Sequence, residues 1–191
     1  MKTFNLLRRI VLVLMGTLIV SFASAQSESN PKTSEMTAEE LFLKGDAYFF
    51  GQGVPANYHE AMRWYKKASE KGHTGAMFNI GFMYQFGLDV AIDDHQAMKW
   101  YKKAKDQGNL DALVNIGYMY EHGQEVKTDY TQAMNCFQEA ADQGHACAMV
   151  NIGAMYEEGL GVAKNMSEAE KWYQKAASLG NTKAQYYLER P

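Results

Sequence analysis

The sequence of 191 residues lacks the short motifs on which most enzyme chemistry depends. It contains no G-x-S-x-G nucleophile turn, no phosphate-binding P-loop and no dinucleotide-binding glycine fingerprint. Its five histidines are scattered, and none stands at a metal-ligand spacing from a cysteine or a carboxylate. We therefore expect a protein that is not an enzyme and that requires neither a metal nor a cofactor.

Basic residues are too few and too dispersed to form a nucleic-acid-binding surface. The chain has 19 lysines and arginines against 22 aspartates and glutamates, a formal net charge of −3, and no long block of lysine or arginine. Binding to a phosphate backbone requires a basic patch or stripe. The composition therefore predicts no nucleic-acid partner.

No apolar run is long enough for a typical membrane-spanning helix, which needs about 20 such residues. The run at Ile10–Val20 follows two arginines and leads into small residues that end at Ala25. This order predicts a signal peptide over residues 1–25, cleaved before Gln26, rather than an uncleaved anchor. The residue directly after the predicted cleavage site is Gln26 and not a cysteine, so a lipid anchor is not supported. We expect a periplasmic or secreted bacterial protein whose mature chain has no membrane span.

Glycine recurs at intervals of 36 residues in two series, and alanine, tyrosine and valine keep the same interval. After a polar leader over residues 26–36, which we expect to be flexible, this spacing divides the chain into four repeats and a half-repeat. The repeats are 37–72, 73–108, 109–144 and 145–180, and the C-terminal capping half-repeat is 181–191. The glycine series are Gly51, Gly87, Gly123 and Gly159, and Gly72, Gly108, Gly144 and Gly180.

Each repeat contains two helical patterns, which we call helix A and helix B in chain order. Helix B has apolar residues at positions i, i+3, i+4 and i+7, which predicts one buried face. Helix A is apolar almost all round, so we expect it to be packed on more than one side. An Asn or Asp followed three residues later by Glu or Gln predicts a capping box at the start of each helix B. The pairs are Asn57–Glu60, Asp93–Gln96, Asp129–Gln132 and Asn165–Glu168.

Two further glycine positions carry predictions about geometry. Gly45 and its equivalents stand inside helix A, where glycine costs about 0.5–1 kcal/mol relative to alanine. We expect a second helix backbone to lie against them, with Ala61 and Ala68 and their equivalents at the contact. In the turn after helix A, the second glycine of the outer repeats is replaced by Asp89 and Glu125. If that position requires a positive φ, these two turns are expected to be reshaped.

The four repeats resemble the Sel1-like repeat family, a relative of the tetratricopeptide repeats. The resemblance rests on Asn79-Ile80-Gly81-x-Met83-Tyr84-x-x-Gly87 and its counterparts at 115–123 and 151–159, and it covers residues 37–188. It implies an all-α fold, a right-handed α-solenoid of four helix-turn-helix repeats with a C-terminal half-repeat cap. Helix A then lines the concave side, a surface that repeat proteins use for binding.

The resemblance also implies a peptide-binding groove along the A helices. In the related tetratricopeptide repeats, the asparagine before the Leu/Ile-Gly pair lines the groove, where its amide can bind a peptide backbone. One and two helical turns after these asparagines, on the same face, the side chains change from aromatic in the second repeat to more polar in the fourth. The alternative is that these asparagines bridge adjacent repeats or cap a neighbouring helix, and that the aromatic side chains pack between repeats. The predicted groove residues are Asn79, Phe82, Phe86, Asn115, Tyr118, His122, Asn151 and Glu158.

Two cysteines in an exported protein raise the possibility of a disulfide. Cys136 stands where the other repeats have tryptophan, so we expect it to be buried, whereas Cys147 is expected near the surface. The two cysteines lie at unequal distances from the turn between their helices, which would strain a disulfide between them. The sequence therefore allows this disulfide but does not favour it. A cysteine-rich branch of the family, associated with β-lactam binding, has regular cysteine pairs that this sequence lacks.

We therefore expect a non-enzymatic adaptor, a scaffold for protein–protein interaction in the cell envelope or exterior that binds a protein or peptide segment in the groove. The alternatives are a β-lactam-binding or β-lactam-hydrolysing enzyme and a structural spacer. An enzyme should break the repeat symmetry with a polar cluster of shifted pKa values, and an adaptor should break it along one helix A face. The symmetry breaks along that face and at the two middle turns, which favours the adaptor.

Overall fold

The computed structural model describes residues 35–190, and within this range every regular element is an α-helix. The predicted signal peptide and all but the last two residues of the leader lie outside the described residues. No helix between residues 35 and 190 is long and apolar enough to cross a membrane. The helices are α1 (Ala38–Phe50), α2 (Tyr58–Glu70), α3 (Thr74–Phe86), α4 (Asp94–Lys105), α5 (Leu110–His122), α6 (Tyr130–Asp142), α7 (Ala146–Glu158), α8 (Met166–Ser178) and α9 (Thr182–Glu189).

The helices pack in chain order. Each packs mainly against the helices that precede and follow it in the chain. The A helices are α1, α3, α5 and α7, the B helices are α2, α4, α6 and α8, and α9 begins a fifth A helix. Three apolar clusters succeed one another along the chain, each built from residues of neighbouring repeats. This arrangement is the predicted α-solenoid of four repeats with a capping half-repeat.

Asn and Asp side chains begin all four B helices, as the sequence predicts. The side-chain oxygen of each accepts a hydrogen bond of 2.9–3.1 Å from the backbone N–H three residues later. The reciprocal bond of a full capping box occurs within residues 35–190 at Thr37 and Glu40, which begin α1. The prediction of four full capping boxes was therefore half right, since one bond of the two forms at each B helix.

Histidine begins two of the A helices, a role that the sequence analysis did not assign. His73 Nδ1 accepts from the backbone N–H of Ala76 at 3.1 Å, and its Nε2 lies 3.0 Å from a carboxylate oxygen of Glu39. His145 caps α7 in the same way, with Nε2 3.0 Å from Asp111. One neutral tautomer satisfies both bonds, because Nδ1 accepts while Nε2–H donates. Each cap thereby joins neighbouring A helices.

An aromatic ring lies against the interior glycine of each A helix. A Cβ at Gly45 would stand 2.4 Å from a carbon of the Tyr65 ring, and the other three glycines face a ring at 2.5–2.8 Å. The expected backbone of helix B is found at Gly81, where the Ala97 carbonyl lies 3.2 Å from a Cβ, but in all four repeats the atoms nearest to the Cβ belong to a ring. Glycine is required because the ring packs directly on the helix backbone. The pairs are Gly45–Tyr65, Gly81–Tyr101, Gly117–Phe137 and Gly153–Tyr173.

Asp89 and Glu125 adopt the left-handed conformation of the glycines they replace. Their φ angles are 66° and 63°, against 72° and 68° for the glycines of the outer repeats, so the turns are not reshaped. Each carboxylate faces a histidine of the preceding repeat. His59 Nδ1 lies 2.9 Å from Asp89, and His95 Nδ1 lies 2.7 Å from Glu125. Both histidines are exposed, so these pairs stabilise the turns only weakly.

Glycine at position 125 is expected to relieve strain in the third turn. A left-handed residue other than glycine costs about 1 kcal/mol. The variants Glu125→Gly and Glu125→Ala both lose the pair with His95, so they differ mainly in this backbone term. We expect Glu125→Gly to have the larger free energy of unfolding, by about 1 kcal/mol, in urea denaturation. Equal stability of the two variants would show that the turn is unstrained.

Candidate functional site

The exposed face of the A helices carries two aromatic pairs, which we call the aromatic stripe: Phe82 with Phe86, and Tyr118 with His122. The rings of the first pair lie 4.4 Å apart, and those of the second stack at 3.9 Å. Phe86 and Tyr118 are 38% and 39% exposed, whereas Met83, on the same helix as Phe86, is fully buried. The stripe therefore offers apolar surface to a partner.

The ends of the stripe differ in character. Phe82 is half-buried and lies 6.4 Å from Phe49, so it also packs between repeats, as the alternative interpretation holds. On α7 the equivalent positions hold Ala154 and the exposed Glu158. The face thus changes from aromatic on α3 to acidic on α7, which is the gradient expected from the sequence.

Two of the predicted groove asparagines have partners inside the protein. Asn79 Nδ2 lies 3.4 Å from Asp46 Oδ1, which also accepts from the Tyr65 hydroxyl at 2.7 Å. The amide of Asn115 contacts the Tyr101 hydroxyl. Both asparagines therefore bridge neighbouring repeats, the second role that the sequence left open. Asn151, which stands at the same position on α7, is half-buried.

Tyrosine hydroxyls of helix B reach the polar residues of helix A in three repeats. Beside the Tyr65–Asp46 bond, Tyr101 donates to Gln85 at 2.7 Å and Tyr173 donates to Glu157 at 2.8 Å. Burial is the main cause that raises the pKa of each of these phenols well above its ordinary value. The hydroxyls stay protonated and act as fixed donors. The three donors are Tyr65, Tyr101 and Tyr173.

Glu157 of α7 accepts hydrogen bonds from two side chains, Tyr173 and Arg190. Burial favours its neutral form, but hydrogen bonds from Tyr173 and Arg190 outweigh that effect and hold its pKa below the ordinary value. Tyr187 of α9 stacks on Tyr173 with ring centroids 4.8 Å apart. The capping half-repeat therefore closes the last repeat with an ion pair and a stacked ring.

Glu121 occupies the same position in the third repeat but has a different environment. Its side chain is only 18% exposed, and Phe137 stands where the other repeats have a tyrosine, so no hydroxyl reaches it. Burial is the main cause that raises the pKa of Glu121, and the charge of Glu158 adds to it. His122 and Lys183 act in the opposite direction. This carboxylate was not predicted from the sequence, although Phe137 is the single phenylalanine in a series of tyrosines 36 residues apart.

The two cysteines are free thiols. Cys136 is half-buried, and burial raises the pKa of its thiol. Cys147 is exposed, as expected, and its sulfur lies 3.5 Å from Asn181 Nδ2. In the part of the chain that the structure describes, no group of three or more His, Cys, Asp or Glu side chains could hold a metal ion. The chemistry on offer at this face is therefore hydrogen bonding, charge pairing and aromatic contact.

The chain is similar to solved structures over most of its length. It is 38% identical to a Sel1 repeat protein from Oxalobacter formigenes, with a TM-score of 0.74, over 80% of this chain and 62% of that one. It is also 38% identical to c5321, a protective antigen present in uropathogenic Escherichia coli strains, with a TM-score of 0.66, over 79% of this chain and 32% of that one. The immunity protein Pa5087 from Pseudomonas aeruginosa shares the fold. It is 23% identical, with a TM-score of 0.61, over 88% of this chain and 63% of that one. The chain spans less than two thirds of each of these proteins.

A search of curated proteins found no match. The family model for the Sel1 repeat matches four segments, residues 41–73, 74–109, 110–145 and 148–181. Each segment contains all or most of one A helix and the whole of the B helix that follows. With four matched repeats and two relatives at 38% identity, the chain belongs to the Sel1 repeat family.

Proposed function

We propose that this chain is a non-enzymatic adaptor that holds a protein or peptide segment on the exposed face of its A helices. Sel1 repeat proteins are generally scaffolds for protein interaction and are typically not enzymes. The observation that carries the proposal is the aromatic stripe, where Phe86 and Tyr118 stay more than a third exposed. Paired exposed rings favour association, because covering them removes apolar surface from water.

The adaptor acts in the periplasm or outside the cell. Support comes from residues 1–25, whose basic start, short apolar run and small residues before Gln26 are typical of a signal peptide. The relative from Escherichia coli is a protective antigen, which is consistent with an exposed location. A β-lactam-directed enzyme is the weaker candidate, since the regular cysteine pairs of that branch are missing, and a passive spacer has no need of exposed aromatic pairs.

A photoreactive amino acid placed at position 118 of the full chain, in the cell that produces it, tests this function. We expect it to crosslink a protein partner recovered from the periplasm or medium, and we expect the crosslinked adaptor to begin at Gln26 by mass spectrometry. The matched control carries the photoreactive residue at Lys99, an exposed position on helix B of the second repeat. Crosslinking to the same partner from position 99 but not from position 118 would contradict a groove on the A helices.

A further inference from the structure

The third repeat differs from the others at one buried position on helix B. Repeats 1, 2 and 4 place a tyrosine ring on the interior glycine of helix A, and repeat 3 places Phe137 on Gly117. The ring contact is kept, with a Cβ at Gly117 only 2.6 Å from the Phe137 ring. The exchange therefore removes a hydroxyl group and leaves the packing as it is. What changes is the hydrogen bonding at the junction of α5 and α7.

The missing hydroxyl leaves two polar side chains available. In the preceding repeat, the Tyr101 hydroxyl donates to Gln85 and contacts Asn115. The 36-residue register puts Glu121 in the place of Gln85, and Asn151 in the place of Asn115. Among residues 35–190, neither the carboxylate of Glu121 nor the amide of Asn151 has a side-chain hydrogen bond. A carboxylate and an amide at the junction of α5 and α7 can therefore each accept or donate further hydrogen bonds.

The charges around Glu121 favour a cationic ligand. On its own helix, His122 Nδ1 lies 3.8 Å from the carboxylate. From α7, Glu158 brings a second negative charge, and from α9, Lys183 partly offsets it. The carboxylate is mostly buried yet lacks a donor, which is why its pKa is raised. A ligand that brings a positive charge would replace the solvation that Glu121 has lost.

The second aromatic pair forms a wall of this site. Tyr118 stands three residues before Glu121 on α5, so the two side chains are neighbours on the helix surface. Their proximity also shows in the pKa of Tyr118, which burial raises and the charge of Glu121 raises further. The faces of aromatic rings attract ammonium and guanidinium groups. A carboxylate beside an exposed ring suits a lysine or arginine side chain.

We infer that Glu121, Asn151 and the Tyr118–His122 stack form a site for one lysine or arginine side chain of the bound segment. The carboxylate pairs with the cation, the ring stack covers its methylene groups, and the amide of Asn151 binds the adjoining backbone. The Phe82–Phe86 end of the aromatic stripe takes an apolar side chain of the same segment. The inference rests on the proposed function, because it names the chemistry of the segment that the A helices hold.

A phage-displayed library of random nine-residue peptides, selected on the full chain, tests this site. We expect the enriched peptides to combine a lysine or arginine with an aromatic or leucine residue. In a synthetic copy of one such peptide, replacing arginine with citrulline should weaken binding at least about tenfold in calorimetry, because a charge-assisted bond is lost. Enriched peptides that lack a basic residue yet block crosslinking from position 118 would overturn this inference and leave the proposed function standing. If no enriched peptide protects position 118, the proposed function fails as well.

Two variants test whether the preference for a basic side chain comes from this site. Glu121→Gln removes the charge, and Phe137→Tyr supplies the missing hydroxyl from within, so both should weaken binding of the basic peptide about tenfold. Thermal unfolding of Glu121→Gln should occur at no lower temperature than that of the unaltered chain, since a desolvated charge is removed. The matched control, Tyr101→Phe, removes a hydroxyl beside the neutral Gln85 and should leave the affinity unchanged. Unchanged affinity in both site variants would place the basic preference elsewhere.

Discussion

Replacing Gly81 by alanine should lower the free energy of unfolding by about 2–3 kcal/mol, the usual effect of overpacking a filled core. In an ordinary helix the same exchange raises it by about 0.5–1 kcal/mol. Here the new Cβ would lie 2.8 Å from the ring of Tyr101 and 3.2 Å from the carbonyl of Ala97. The ring cannot move aside easily, because it is fully buried and its hydroxyl is bound to Gln85 at 2.7 Å. Urea denaturation followed by circular dichroism measures the change.

The matched control is Gly75→Ala, in the first turn of the same helix. The nearest atom to a Cβ there belongs to the His73 ring, at 3.1 Å. The equivalent position on α7 holds Cys147 beside His145, so a Cβ is accommodated next to a histidine cap. We expect Gly75→Ala to change the free energy of unfolding by less than about 1 kcal/mol. Equal effects of the two substitutions would show that the ring at Gly81 yields.

Features whose causes lie within one helical turn were predictable from the sequence. Asn57 and Asp93 cap helices that begin at the next residue, so the motif contains both partners of the bond. Their glutamate and glutamine partners are long side chains at the surface, and bonds back to the cap do not form. The caps at His73 and His145 were missed because histidine is not among the usual N-cap residues. Their register with Asn109 and Asn181, which do cap helices, was the available signal.

Long-range contacts were predictable only in part. The absence of a side chain at Gly81 indicates that something lies close to the helix, and it does not say whether a backbone or a ring fills the space. The ring comes from Tyr101, twenty residues later in the chain. The register contained the answer, because that position holds a tyrosine or a phenylalanine in every repeat.

The part of the site that was predictable is the exposed face of the A helices, where the four repeats carry different side chains. Phe86 and Tyr118 are exposed on the A helices as expected, since position on a helix face follows from the 3.6-residue period. Glu121 was not singled out, because a glutamate on a helix is usually solvated. The charges that act on it come from α7 and α9, and its lack of a donor depends on Phe137. These contributions come from three other helices, beyond the reach of a local pattern.

Truncation of a glycine-facing ring should be the most damaging single change. For Tyr101→Ala we expect a loss of about 3–5 kcal/mol in the free energy of unfolding, the usual effect of removing a large buried ring. Tyr101 is fully buried, packs near Phe78 at 5.6 Å and donates to the buried Gln85. Tyr101→Phe keeps the ring and should lose only about 1–2 kcal/mol, for the hydrogen bond. Urea denaturation that gave the two variants similar losses would show that the hydroxyl matters more than the ring.

The double variant of Gly81→Ala with Tyr101→Ala identifies which contact requires the glycine. Once the ring is gone, the new Cβ at position 81 projects into the space that the ring has left. The combined loss should therefore be smaller than the two single losses together, by about 1 kcal/mol or more. Additive losses would instead assign the clash to the Ala97 carbonyl, 3.2 Å from that Cβ. Because a ring faces the interior glycine in all four repeats, coupling at this pair would identify the ring-on-glycine contact as the unit that joins each helix A to its helix B.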